Sequence, residues 1–370
     1  MLKSTGLLVA LVMAGSTLTG CFEPKAPSAG TTVGSGHKGG AEASVPTEAV
    51  LETIAEKLNA PWAMDFHGDF IYISERQGGI VKLAGGKVQR QQVTLTKPVH
   101  QEGEGGFLGF VLAADFASTG QAYAYHTYKE GGQTLNRVVL LKETEGGWQE
   151  VKALLERIPG SRFHNGGRLA LGPDKQLYIT TGDAQDESVS QEKSSLAGKI
   201  LRMTPQGAVP KDNPIPGSYV YSYGHRNPQG IAWSGDGSLY SSEHGPSGSP
   251  GGHDEMNRIV PGANYGWPLV IGDERKEGTE PPLYHSGPRA IAPSGIAADK
   301  TDGFLVATLV GETLYRFNPQ DNRMTAVLQN QGRLRDVRVK DGYVYVITNN
   351  TDGRGKAGES DDRLLRFKEQ

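Results

Sequence analysis

The sequence predicts an all-β fold, a six-bladed β-propeller of four-stranded antiparallel sheets, and three observations carry the prediction. A short apolar strand, a turn carrying Gly or Asp, and an alternating aromatic strand recur along the chain at a spacing of roughly 40 to 65 residues. No segment sustains the apolar period of an amphipathic helix. Polar insertions fall at one place in the repeat, just before its innermost strand, where a ring of sheets presents loops around its channel.

The copies run in order along the chain. Ala63-Met64-Asp65-Phe66 is followed by Phe70-Ile71-Tyr72-Ile73, and Gly109-Phe110-Val111-Leu112 by Ala122-Tyr123-Ala124-Tyr125. Next come Arg168-Leu169-Ala170-Leu171 with Gln176-Leu177-Tyr178-Ile179, and Gly230-Ile231-Ala232-Trp233 with Ser238-Leu239-Tyr240-Ser241. Gly295-Ile296-Ala297-Ala298 with Gly303-Phe304-Leu305-Val306, and Asp336-Val337-Arg338-Val339 with Gly342-Tyr343-Val344-Tyr345, complete the set. A third strand ending in a basic residue follows several copies, as at Lys82, Arg202, Arg316 and Arg366. Val50 to Leu58 alternates well enough to pair beside the last segment, so the first and last strands are expected in one sheet.

The N-terminus reads differently. Lys3, the apolar run Leu7 to Met13, and Leu18-Thr19-Gly20-Cys21 have the layout of a lipoprotein signal, too short in its apolar part to span a bilayer. Residues 1–20 are therefore expected to be cleaved, leaving a lipidated Cys21 and a flexible tether over 21–45, rich in Gly, Ala, Ser and Pro. Residues 46–370 are expected to form the propeller. This makes the protein exported, attached to a membrane only through its lipid, on the periplasmic side of an outer membrane or on the cell surface. Cys21 is the only cysteine, so neither disulfides nor thiol chemistry contribute. A formal net charge of -3 gives no support for nucleic-acid binding.

Four polar loops each precede an innermost strand and are expected to converge on one pocket: Gln101 to Gly106 including Glu104, His164 to Arg168, His225 to Gly230, and Arg333 to Asp336. By residue type alone, His164 suits a structural histidine as well as a base, and Arg226 and Arg335 suit ion pairs as well as ligand contacts. Glu255 suits a turn cap, and Tyr265-Gly266-Trp267 suits packing. Several chemistries lack their motifs. Gly103 to Gly109 has the wrong spacing for a dinucleotide loop, and there is no Cys-x-x-Cys, His-x-x-x-His or Gly-x-Ser-x-Gly.

The segments Ala60-Pro61-Trp62-Ala63, Gly105 to Gly109, His164 to Leu169, Gly182-Asp183, Gly224 to Gly230, Glu243-His244-Gly245-Pro246, Asp254 to Asn257 and Asn264 to Pro268, in this order, resemble the soluble glucose dehydrogenase and aldose sugar dehydrogenase family. Its members are quinoproteins that use pyrroloquinoline quinone (PQQ) and calcium. The resemblance implies oxidation of an aldose sugar at C1 to a lactone, hydride passing to PQQ, and electrons passing on to a soluble acceptor. It implies His164 as general base, Asp183 as the group that fixes its tautomer, and Arg226 as the cation that polarises the quinone. It implies cofactor contacts from Glu104, Asn227, Gly245, Arg333 and Arg335. Backbone carbonyls of Gly245 and Pro246 would hold the cofactor-side calcium, with Glu255 and Tyr265 near a further calcium site.

The chain departs from the family pattern in three places. Val310 lies in the segment where many members carry a Lys, the loop from Ser247 to His253 is longer than usual, and the aromatic that often precedes the Ala292 to Gly295 segment has no obvious counterpart, Tyr284 and His285 being the nearest candidates. These departures motivate an alternative, a calcium-stabilised propeller lipoprotein that binds carbohydrate or protein and has lost PQQ. Nothing in the sequence separates a monomer from a homodimer.

Overall fold

A computed structural model describes residues 50–248 and 251–369. The readings on residues 1–20, on Cys21 and on the tether lie outside the described residues, as does part of the loop after Pro246. The fold is all-β. Among the described residues, the helical elements are the single turn Phe116–Thr119 and the 3₁₀ turn Glu187–Ser190, as the missing helical period predicts.

Three antiparallel four-stranded sheets follow chain order. They are Leu169–Leu171, Leu177–Thr181, Lys199–Met203 and Val220–Tyr223; Pro228–Trp233, Leu239–Glu243, Glu255–Ile259 and Tyr284–His285; and Pro293–Ala298, Phe304–Thr308, Thr313–Asn318 and Arg323–Gln329. A fourth joins the two ends of the chain: Glu52–Ala55 pairs with Leu364–Lys368, beside Tyr343–Thr348 and Leu334–Lys340. The expected sharing of a sheet by the first and last strands is thus met.

The first two repeats differ from expectation, because they are hydrogen-bonded into one eight-stranded sheet. Each half is an antiparallel four-stranded meander, and the outer strands Lys87–Thr94 and Gly147–Pro159 pair in parallel over Gln92 to Thr94. Gly147 permits the seam, since a Cβ there would lie 2.4 Å from the Gln92 carbonyl oxygen. Beside it, Trp148 is buried edge-on to Tyr72 and Phe110.

The innermost strands Pro61–His67, Phe107–Leu112, Leu169–Leu171, Pro228–Trp233, Pro293–Ala298 and Leu334–Lys340 lie each against the next, and the last returns to the first. Apolar side chains fill the spaces between sheets, the largest cluster running from Trp62 and Phe107 to Leu201 and Val220. The third-strand basic residues end in ion pairs: Lys82 with Glu143, Arg202 with Asp174 and Asp212, Arg316 with Asp299, Arg366 with Glu52.

The axis itself is polar. Arg168 lies over the Trp62 ring at 4.2 Å, and its Nη1 is 3.2 Å from Asp336 Oδ1. Its Nε donates to the Gln229 carbonyl at 2.9 Å, while Asp336 Oδ2 accepts from the Met64 N–H at 3.0 Å. Arg335 lies 5.8 Å from the same indole and donates to Gln229 Oε1, Ser294 Oγ and Asn349 Oδ1. Asn349 Nδ2 in turn donates to the Pro61 carbonyl. Burial lowers the two guanidinium groups to about 10 for Arg168 and about 9 for Arg335, so both stay charged at neutral pH.

Removing the carboxylate leaves a buried cation without its partner. Asp336→Ala is expected to cost about 3–5 kcal/mol in a denaturant titration, whereas Glu56→Ala, at an exposed position, stays within about 0.5 kcal/mol.

Candidate active site

The loops that enter the innermost strands gather at one end of this axis. They enclose a cavity of about 440 Å³ lined by Glu104, His164, Arg226, His244, Gly245, Pro246, Asp254, Val310, Arg333 and Arg354, among others. A second, more open cavity of about 460 Å³ adjoins it, sharing His164, Arg226, Pro246 and Ser247 and adding Asp183, Gln185, Asp186, Glu187 and Trp267. His164 and Arg226 therefore stand in the wall between two spaces.

His164 is fixed from both sides. Its backbone sits at φ 57°, its N–H donates to Glu104 Oε2 at 3.0 Å, and its Nδ1 lies 2.8 Å from Asp183 Oδ1. An ionised carboxylate only accepts, so Nδ1 carries the proton and Nε2 keeps its lone pair. Asp183 is held in turn, accepting from the Trp267 indole N–H at 2.9 Å and from the Gln185 N–H at 2.8 Å. Gly166, two residues past the histidine, is required by geometry, with φ 60° and a notional Cβ 2.6 Å from the Thr180 carbonyl oxygen.

Arg226 is largely buried, and that burial lowers its pKa. Its guanidinium lies 5.4 Å from the Trp267 ring centre and donates to Ser247 Oγ at 3.1 Å. Glu104 joins three loops, accepting from His164 N–H and Asn227 Nδ2 and pairing with Arg354 Nη1 at 2.8 Å. Burial opposes its ionisation, but His244 and Arg354 outweigh that and hold the carboxyl at about 2.

The sequence-derived residues separate into groups. Glu104, His164, Arg226, Gly245, Pro246 and Arg333 line the 440 Å³ cavity, and Asp183 lines the adjoining one. Asn227 is fully buried behind the wall, its Oδ1 taken by the Gly166 N–H and its Nδ2 by Glu104. Arg333 faces the cavity while bonded to Asp352 at 3.0 Å, but Arg335, two residues on, lies in the axial network. The backbone is irregular between Leu334 and Asp336, so spacing alone does not put the two arginines in one place.

Gly245, Pro246, Glu255 and Tyr265 meet around a third cavity of about 20 Å³, together with Glu243. That volume suits a single water or ion. Glu243 and Glu255 face each other across paired strands, and burial together with Glu243 pushes the Glu255 carboxyl up to about 8. The Tyr265 hydroxyl is consumed elsewhere, donating to the Arg258 carbonyl and accepting from the Val260 N–H, while its ring stacks on His225. His225 is fully buried between Glu243 and Ser222 and is structural.

Four residues were missed in the sequence. Asp254 accepts from the Gly245, Ile291 and Ala292 N–H groups and so ties two loops together. Trp267 anchors Asp183, His244 lines two cavities with its Nε2 unpaired, and Arg354 reaches in from the loop after the strand Tyr343–Thr348. Asp254, His244 and Trp267 stand in the quoted segments, whereas Arg354 lies in a loop with no signal of its own. Neither Tyr284 nor His285 lines the enclosed cavity. Its apolar side is made of Pro288, Ala290, Ala292, Leu309 and Val310, and His285 stacks on His253 instead.

An all-β scaffold with a carboxylate-anchored imidazole between two polar cavities has the layout of an enzyme site. Residues 58–365 match the family model for glucose/sorbosone dehydrogenases. The aldose sugar dehydrogenase YliI of Escherichia coli K12 is 30% identical over 356 residues, covering 84% of this chain and 92% of that protein. Quinoprotein glucose dehydrogenase B of Acinetobacter calcoaceticus is 31% identical over 255 residues, covering 60% of this chain and 52% of that protein. The PQQ-bound aldose sugar dehydrogenase of Streptomyces coelicolor superposes with a TM-score of 0.79 at 37% identity, covering 87% of this chain and 99% of that one. The chain belongs to the glucose/sorbosone dehydrogenase family.

Glu104 is the clasp of the histidine loop. Glu104→Ala is expected to loosen it by about 1–3 kcal/mol, read as faster amide hydrogen exchange at His164 and Gly166, with the strand Tyr343–Thr348 unchanged.

Proposed function

We propose that this protein is an exported quinoprotein that oxidises aldose sugars at C1 to lactones, using PQQ and calcium on a six-bladed propeller. The observation that carries the reading is His164 standing between two cavities with Nδ1 held by Asp183, which leaves Nε2 free as a base. Family membership supports the reaction class.

The residues fit a planar tricarboxylate quinone. The 440 Å³ cavity places Arg226 and Arg333 on its wall for the cofactor's negative charge and Pro288, Ala292, Leu309 and Val310 for its flat faces. The unpaired His244 Nε2 is a polar atom a ligand can satisfy. When bound, PQQ supplies a two-electron acceptor for the sugar C1 hydride. The protein supplies the rest. His164 Nε2 takes the proton of the C1 hydroxyl as the carbonyl forms, Asp183 stabilises the resulting imidazolium, and Arg226 places positive charge where the acceptor gains negative charge. On the sugar side, Trp267 offers an aromatic face and Gln185, Asp186 and Glu187 offer hydrogen-bond partners for hydroxyls.

Calcium fits the small cavity, where Glu243 and Glu255 place two carboxylates opposite each other and the carbonyls of Gly245 and Pro246 add hard oxygen ligands. The reading of Cys21 as lipidated makes the enzyme a surface-attached or periplasmic protein that passes its electrons to a soluble acceptor.

Protein supplied with PQQ and calcium is expected to reduce an artificial dye with aldoses. His164→Gln should lower kcat by about 10²–10⁴-fold while the PQQ dissociation constant, read by absorbance, stays within about threefold. If the unsubstituted chain shows neither dye reduction nor an absorbance change on addition of PQQ, the proposal is overturned. Chelation should lower the thermal midpoint, calcium should restore it, and Glu255→Gln should abolish that increment, which amounts to about 2.7 kcal/mol at a hundredfold excess over the dissociation constant.

A further inference from the structure

The acidic cofactor needs cations, and the structure changes the count of those on offer. Arg335, expected to grip a carboxylate, is committed to Gln229, Ser294 and Asn349 in the axis. Arg333 lines the cavity but is matched by Asp352 at 3.0 Å, with both side chains largely buried. Val310, on the same cavity, projects an uncharged side chain that is 55% exposed. Those positions leave a tricarboxylate short of positive charge.

Arg354 stands on the same cavity and comes from a different loop. Its backbone is set by an Asp352 turn, with the Arg354 N–H donating to Asp352 Oδ1 at 2.9 Å, so one aspartate positions both Arg333 and Arg354. The guanidinium is 5.1 Å from the Phe163 ring centre, next to His164, and its Nη1 is 2.8 Å from Glu104 Oε1. The side chain is 41% exposed, so its desolvation cost is modest and it has room to turn toward a ligand while Glu104 keeps its bonds to His164 and Asn227.

We propose that Arg354 binds a carboxylate of the cofactor from the lip of the cavity, supplying the positive charge that Arg335, Arg333 and Val310 do not. The inference rests on the PQQ reading above. It makes Arg354 a cofactor-affinity residue.

The test is a titration of calcium-supplemented protein with PQQ, followed by absorbance, for four chains: unsubstituted, Arg354→Gln, Val310→Lys, and both together. Arg354→Gln is expected to weaken binding about tenfold or more and to flatten its salt dependence, with the thermal midpoint unchanged. Val310→Lys should strengthen binding more in the Arg354→Gln background than in the unsubstituted chain, returning the double variant to within about threefold of the original affinity. The Val310→Lys ammonium would not re-form the bond to Glu104, so rescue assigns the effect to charge in the cavity rather than to a loosened histidine loop. An unchanged dissociation constant in Arg354→Gln, or no rescue by Val310→Lys, overturns the inference. Failure of the unsubstituted chain to bind PQQ overturns the cofactor reading itself.

Discussion

A charged cluster buried at the axis of the sheets holds the architecture together. Trp62, Arg168, Gln229, Ser294, Arg335 and Asp336 come from or adjoin five innermost strands, and their contacts close between strands far apart in sequence. Guanidinium groups in such a place are costly unless every direction is answered. Here an indole face, a carboxylate and several carbonyl and amide oxygens answer most of them, and burial lowers both arginines without discharging them. The apolar layers between the sheets give the bulk of the burial, while the axial cluster fixes how the innermost strands face one another.

The site inherits its order from that axis. The loops leading into the strands are pinned to one another by single carboxylates with several donors: Asp183 between His164 and Trp267, Glu104 between His164, Asn227 and Arg354, Asp254 between Gly245 and the Ile291–Ala292 backbone. Each carboxylate ties together segments brought close only by the ring. The histidine is thereby presented in one tautomer, between two cavities, without depending on the loop's own stiffness. This is the geometry a positioned base requires, because misorientation of the imidazole costs more than loss of any one surface contact.

Much of this was legible in the residues. Alternation, Gly/Asp turns and repeat spacing gave the strands, and the closure of the sheet by Glu52–Ala55 on Leu364–Lys368 followed from the pattern at both ends. Glu104, His164, Arg226 and Arg333 stand in or beside polar loops that precede an innermost strand, a pattern visible in the residues, whereas Asp183 and Gly245 follow strands and were singled out only by the family resemblance. The seam between Lys87–Thr94 and Gly147–Pro159 was not legible, since it depends on a close approach at Gly147 that no local pattern encodes. The pairing of Arg333 with Arg335 was misleading for a related reason: period-two reasoning holds within a regular strand, and the backbone at Leu334 to Asp336 is irregular.

By itself the sequence determined which residues can form strands, where the chain turns, and which polar groups are available for chemistry, because these depend on side-chain type and near neighbours. The tertiary structure alone decided which of those groups meet. It sent Arg335 to the axis, Asn227 behind the wall and Tyr265 onto His225, and it brought Arg354 to the cavity that Val310 lines. The physical reason is that a functional cavity is a property of loops from different sheets, and the distances between them are set by how the sheets pack around a shared axis rather than by any spacing along the chain.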